Sequence, residues 1–160
     1  LAHAGVGLLT LGITGVTAWQ SDKVLNMQPG QSVEFAGRTL TLDALAMTPG
    51  VNYQARQARF TVTGDGKPYD LISERRVYAS SQTTEAGIRV SPMGNLYVSV
   101  GEEAGGGVVV RLWSHPLIAW IWTGGFVMAL GGLVSLSDRR LRLGAAARAV
   151  SPVLRPAPAE

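Results

Sequence analysis

The chain contains no cysteine and only two histidines in 160 residues. Without cysteine there can be no thiolate chemistry, no cysteine-ligated metal and no disulfide to hold an exported domain together, so stability has to come from a packed core. Charge is missing in a patterned way. No Asp, Glu, Lys or Arg occurs from Leu1 to Ser21 or from Leu112 to Ser137. The second stretch covers 26 residues, which as a helix reaches roughly 39 Å and exceeds an apolar bilayer core of about 30 Å. The sequence therefore predicts two transmembrane helices flanking one small folded domain. The first stretch lacks the positive n-region of a signal peptide and is longer than an ordinary h-region. It opens on Leu1 rather than Met, and the chain is expected to be cut from a longer polytopic protein.

What charge there is lies elsewhere. Residues 22–113 hold nine basic and nine acidic side chains, whereas 138–160 hold five arginines against two acids, so the net +3 sits in the tail. Arg139, Arg140 and Arg142 follow the second span closely, which orients the tail to the cytoplasm and the middle block outward. The high pI then reports juxtamembrane arginines, and no nucleic-acid partner is expected. The tail, with Pro152, Pro156 and Pro158 and no apolar period, reads as disordered.

Both spans are rich in small residues. Gly5, Gly7, Gly12 and Gly15 accompany Thr10, Thr14 and Thr17, which share one helical face, and the second span carries Gly124, Gly125, Ala129, Gly131 and Gly132, of which Gly125 with Ala129 forms a small-xxx-small pair. Such residues permit close backbone approach and interhelical hydrogen bonds, so packing among other helices is expected. Trp19, Trp113, Trp120 and Trp122 fall at the outer ends, where indole rings favour the membrane interface. Pro116 suits a first helical turn.

Between the spans, runs rich in β-branched and aromatic residues predict seven strands: Ser32–Phe35, Thr39–Leu45, Arg59–Thr63, Asp70–Tyr78, Ile88–Val90, Leu96–Val100 and Val108–Leu112. Turns are expected at Pro29-Gly30, Ala36-Gly37, Pro49-Gly50, Asp65-Gly66, Met93-Gly94-Asn95 and Gly105-Gly106-Gly107. The fold class is membrane α plus all-β, with a small antiparallel β-barrel or sandwich, OB-like being one option, on the periplasmic side. The expected layout is a transmembrane helix over 1–20, a β domain over 21–113, a second transmembrane helix over 114–137 and a tail over 138–160.

Few groups suggest chemistry. Gly64-Asp65-Gly66-Lys67 lacks the spacing and hydroxyl of a phosphate loop and reads as a turn. Glu102 and Glu103 read as a solvated loop, too poor in converging oxygens for a hard cation. Glu74, Arg75 and Arg76 alternate faces of a strand, where solvation or cross-strand pairing explains them. The methionines Met27, Met47 and Met93 are expected to pack rather than ligate. The two histidines should lie near opposite membrane faces, so no Ser/His/Asp arrangement can form. His115 needs no explanation beyond an interfacial position. An ionisable residue within a span, such as His3, is a candidate proton relay, ligand or metal site, and neutral imidazole is a common axial haem ligand.

The strings Leu1-Ala2-His3-Ala4-Gly5, Ala18-Trp19-Gln20-Ser21, Glu74-Arg75-Arg76-Val77-Tyr78, Thr84-Glu85-Ala86, Trp120-Ile121-Trp122, Leu130-Gly131-Gly132-Leu133 and Ser137-Asp138-Arg139-Arg140 occur in an order that resembles the C-terminal part of the CcmF-type cytochrome c haem lyases. Members of that family are inner-membrane proteins that receive haem from a periplasmic chaperone and help attach it to the CxxCH thiols of apocytochrome c. The resemblance implies that His3 is an axial ligand to the iron of haem b, with the second ligand outside these residues. It implies as partners the remaining transmembrane helices of the parent protein, the haem chaperone, the subunits that present apocytochrome c, and apocytochrome c itself. The family's Trp-rich external segment and external histidines are not in this sequence, so catalysis is expected to reside elsewhere. The alternative is a membrane-anchored β-domain scaffold or interaction module without cofactor.

Overall fold

The computed structural model describes residues 1–137; the tail, with Arg139, Arg140 and Arg142, lies outside the described residues. Helix α1 covers Ala2–Trp19, strands β1 to β9 follow, and helix α2 covers Ile118–Ser137. Both helices are long and apolar enough to cross a membrane.

The strands form a β-sandwich, which decides between the barrel and sandwich options. Strands β2 (Ser32–Phe35), β3 (Arg38–Pro49), β4 (Tyr53–Thr63), β5 (Tyr69–Tyr78) and β6 (Gln82–Glu85) make a five-stranded antiparallel meander. Strands β7 (Gly87–Arg89), β8 (Gly94–Ala104) and β9 (Gly107–Pro116) make a second meander, completed by β1 (Ser21–Met27) on the far side of β9. Period-two alternation turns Leu40, Leu42, Ala58, Phe60, Val62 and Leu71 of one sheet toward Leu96, Val98, Val100, Val108, Val110 and Leu112 of the other. The chain crosses between sheets at Gly87, where a Cβ would meet the Ile72 carbonyl oxygen at 2.8 Å. Beside this crossing the fully buried Ser73 hydroxyl donates to Glu85 O at 2.8 Å and accepts from Val100 N–H at 3.1 Å, stitching the sheets together.

Two hairpin turns behave as their residues demand. Ala36-Gly37 joins the pair Phe35↔Arg38 with φ of 50° and 73°, and Gly105-Gly106 joins Ala104↔Gly107 with φ of 57° and 78°. Positive φ at both central residues is the type I′ requirement, which glycine meets without steric cost.

Several expectations are corrected. Ser21–Met27, placed in the β domain but given no strand, is a full strand held by seven register pairs to β9, from Ser21↔Ser114 to Met27↔Val108. Gln82–Glu85 is a further strand, although all four of its residues are exposed and carry no apolar period. Strand β9 runs through Pro116, so that proline ends a strand instead of opening a helix. The helix begins at Ile118 rather than at residue 114, after Leu117 turns the corner with φ of 57°. Glu102 and Glu103 lie on β8, beside a bulge between Val100 and Glu103.

Because the core is close-packed, Phe60→Ala should lower the unfolding free energy by about 3–5 kcal/mol. Val24→Ala, at a position 53% exposed, should change it by no more than about 0.5 kcal/mol. Urea titration followed by tryptophan fluorescence measures both.

Candidate functional site on α1 and the distal sheet

Helices α1 and α2 pack antiparallel through glycine. A Cβ at Gly5 would meet Met128 and the Gly124 carbonyl at 2.6–2.8 Å, one at Gly12 would meet Ile121 N at 2.6 Å, and one at Gly15 would meet Leu117 at 2.8 Å. From the other side Gly124 abuts Leu9, and Gly131 abuts Ala2 N at 2.6 Å. The pairing therefore uses Gly124 and Gly131 and leaves the Gly125 and Ala129 pair outside it: a Cβ at Gly125 meets nothing within 4 Å, and Ala129 is exposed.

At 100° per residue, positions 3, 7, 10, 14 and 17 lie within about 40° of one line on α1, opposite the face holding Gly5, Gly12 and Gly15. His3, Gly7, Thr10, Thr14 and Thr17 are all exposed, and a Cβ at Gly7 would meet nothing within 4 Å. His3 thus faces away from α2, with a bare glycine one turn further along its own face. Thr10 returns its hydroxyl to Val6 O at 2.9 Å. Among the described residues no three His, Asp or Glu side chains are grouped to hold a metal ion. What this stripe offers is one imidazole and a flat, small-residue surface on which a planar group or a further helix could lie.

His115 sits apart from His3, on β9 opposite Asn95. Its ring lies 5.2 Å from the Tyr97 ring, and its Nδ1 is buried without a hydrogen-bond partner. Trp19 and Trp122 are exposed on the helices, whereas Trp120 donates its indole N–H to Pro92 O at 3.0 Å. Trp113 lies in β9 with the Arg111 guanidinium 5.3 Å from its ring centre.

The second feature is at the opposite end of the sandwich. Beyond the buried pair Ala58↔Ser73, the core face of the five-stranded sheet continues through the aligned residues Met47, Arg56, Arg75 and Thr84. Strand β8 reaches over this face with its bulge, so that Arg56 pairs with Glu103 and Arg75 with Glu102, each at 2.9 Å. Around them Met47, Gln54, Val77 and Gln82 line an open concavity of about 330 Å³. The methionine expectation holds for buried Met27, but Met47 and Met93 are 61% and 70% exposed. The expected cross-strand pairing on β5 is present on the outer face, where Arg76 reaches Glu85 of β6 at 3.4 Å and Gln57 of β4 donates to Glu74 at 2.8 Å; Arg76 also bonds Glu74 along its own strand at 2.9 Å and stacks 5.0 Å from the Tyr53 ring centre.

A family model described as the CcmF C-terminal beta-sandwich matches residues 18–116. The chain belongs to this family. This CcmF-type chain is similar to the cytochrome c-type biogenesis protein CycK of Rhizobium meliloti (strain 1021), with 46% identity over 93% of this chain and 23% of that protein. It is 37% identical to the cytochrome c-type biogenesis protein CcmF of Escherichia coli (strain K12), over 88% of this chain and 22% of that one. A solved structure of a protein named cytochrome c heme lyase CcmF shares the fold with a TM-score of 0.69 at 21% identity, covering 82% of this chain and 23% of that one. The chain thus spans less than a quarter of the length of these relatives.

The stripe opposite α2 is accessible to sequence reasoning, by adding His3 and Gly7 to the threonine face. The distal concavity is not, because it depends on a bulge in β8. Hydrogen bonds from Gln57 and then Arg76 hold the Glu74 carboxyl below its ordinary range. A carboxylate so held stabilises the fold above its unfolded-state pKa, and the contribution is lost as pH falls through the folded value. Glu74→Gln should therefore flatten the acid limb of the stability profile between about pH 5 and 3, and an unaltered limb in acid titration would refute this.

Proposed function

We propose that this chain is the C-terminal unit of a haem lyase for cytochrome c maturation, with α1 and α2 crossing the bacterial inner membrane as a hairpin, the sandwich in the periplasm and the C-terminus in the cytoplasm. His3 would hold a b-type haem through its imidazole, and the sandwich docks the haem chaperone or the subunits that present apocytochrome c. The observation that carries this reading is the position of His3 on the face of α1 opposite α2. A helix whose glycines already satisfy one partner presents its imidazole, bare Gly7 and threonines to the remaining helices of a protein more than four times as long.

His3 and Gly7 fit a haem in kind: a neutral imidazole donor and adjacent surface without a side chain to obstruct a flat macrocycle. When bound, the haem would supply a low-spin iron centre able to carry an electron. The chain's own contribution is to orient the imidazole and, with α2 packed behind it, keep water from that side. Trp19, Trp120 and Trp122 anchor the hairpin at its outer boundary, with Trp113 further out on β9. For docking, the distal concavity is the suitable surface. Its arginines make ion pairs with exposed glutamates, 64% for Glu103 and 79% for Glu102, pairs that cost little to exchange for a partner's charges, while Arg75 also donates to Gln82 Oε1 at 2.7 Å.

The reduced-minus-oxidised visible spectrum of the full-length protein tests the ligand. A low-spin b-type signal should be present and be lost in His3→Ala at matched protein concentration. A signal that survives leaves a scaffold without this ligand. For docking, a photocrosslinker at Met47 or Val77 should capture a maturation subunit in vivo and one at Val24 should not; no capture at the first two would overturn that role.

A further inference from the structure

We infer that the turn between β7 and β8, Ser91 to Gly94, lies within the lipid head-group layer and seats Val90 and Met93 against the upper acyl chains. This rests on the membrane-hairpin reading above and extends it to the β domain.

The turn is tied to the first turn of α2. Leu117 N–H donates to Met93 O at 3.1 Å, and the Trp120 indole donates to Pro92 O at 3.0 Å. Gly94 lies so close to the end of β9 that a Cβ there would meet Pro116 Cα at 2.8 Å. The turn therefore goes where the start of α2 goes.

Its level follows from the helix contacts. Gly15 packs on Leu117 and Gly12 on Ile121, so Trp19 stands about 6 Å beyond Leu117 on the sandwich side at helical rise. Helix α2 has 20 residues, about 30 Å, which matches the hydrocarbon thickness only when Ile118 is at its outer boundary. A turn level with Leu117 to Trp120 is then at that boundary, nearer the bilayer centre than Trp19.

Its chemistry suits that place. From Val90 to Val100 there is no charged residue, and Ile88, Val90 and Met93 are 50%, 65% and 70% exposed. Every backbone carbonyl of the turn accepts a hydrogen bond: Ser91 O from Gly94 N–H, Pro92 O from Trp120, Met93 O from Leu117 and Gly94 O from the Ser91 hydroxyl. Pro92 has no N–H to satisfy. A water-exposed turn has no need of such complete pairing, whereas one leaving water loses several kcal/mol for each bare carbonyl.

The test places a fluorophore on Met93→Cys, Val90→Cys, Phe126→Cys or Met47→Cys, each introduced singly into the full-length protein with other thiols replaced. The proteins are reconstituted in phosphatidylethanolamine and phosphatidylglycerol vesicles containing acyl-brominated lipid. Labels at Met93 and Val90 should be quenched at least about twofold more than at Met47, approaching Phe126 on α2. If Phe126 is quenched and Met93 behaves like Met47, the inference fails while the hairpin stands. Shielding of Met93 from both lipid and aqueous quenchers would show a protein segment over the turn and also overturn it. An unquenched Phe126 would bring down the hairpin reading, and this inference with it.

Discussion

The close approach of two helix backbones at Gly5, Gly12, Gly15, Gly124 and Gly131 is the constraint from which the rest of the molecule follows. Contacts this short admit no side chain, so α1 and α2 are antiparallel neighbours with Trp19 and Ile118 at the same end. Chain leaving α1 at Gln20 and chain arriving at α2 through Pro116 must therefore run side by side. The β1–β9 ladder is what results: Ser21↔Ser114 is its first pair, and the four-stranded sheet grows outward from it. A sheet fed directly by two packed helices cannot swing freely on a linker.

That coupling divides the protein into faces with different tasks. Along α1, one side is consumed by α2 and the opposite side carries His3, Gly7 and the threonines. In the sandwich, mainly apolar side chains fill the space between the sheets, with Ser73 as a buried bridge, and at the end remote from the helices Arg56 and Arg75 take their place. These ion pairs are half exposed and add little stability. Their effect is on register and shape, since they hold the bulged end of β8 over an otherwise open part of the larger sheet. At the near end, the Ser91–Gly94 turn brings the sandwich down onto the start of α2.

Much of the sandwich is legible in the order of its residues. Alternation in Thr39–Leu45, Leu96–Val100 and Val108–Leu112 marks strands that are half or wholly core, and Gly37 and Gly105-Gly106 mark hairpins because positive φ disfavours most other residues, although Ala36 also adopts it. Strand β1 is not legible in this way, because Ser21-Asp22-Lys23 carries no apolar period; the strand exists through its ladder to β9. Strand β6 is similar, being wholly exposed and held by β5. Pro116, Glu102 and Glu103 defeat a local reading for the same reason: each residue type fits a helix start or a loop, and a neighbouring strand decides otherwise.

Residue order is enough to set the plan of two apolar helices around an all-β block, most of the turn positions, the resemblance to the CcmF-type proteins and the candidacy of His3. Those properties depend on hydrophobic period, motif order and backbone preference, which can be read within single stretches of chain. The folded molecule was needed to decide that the β block is a sandwich, which glycines join the helices, that His3 faces away from α2, and that the arginines of β4 and β5 meet the glutamates of β8. Each of these is a relation between segments far apart in the chain, set by backbone approach and by register, and neither is encoded in a single stretch of residues.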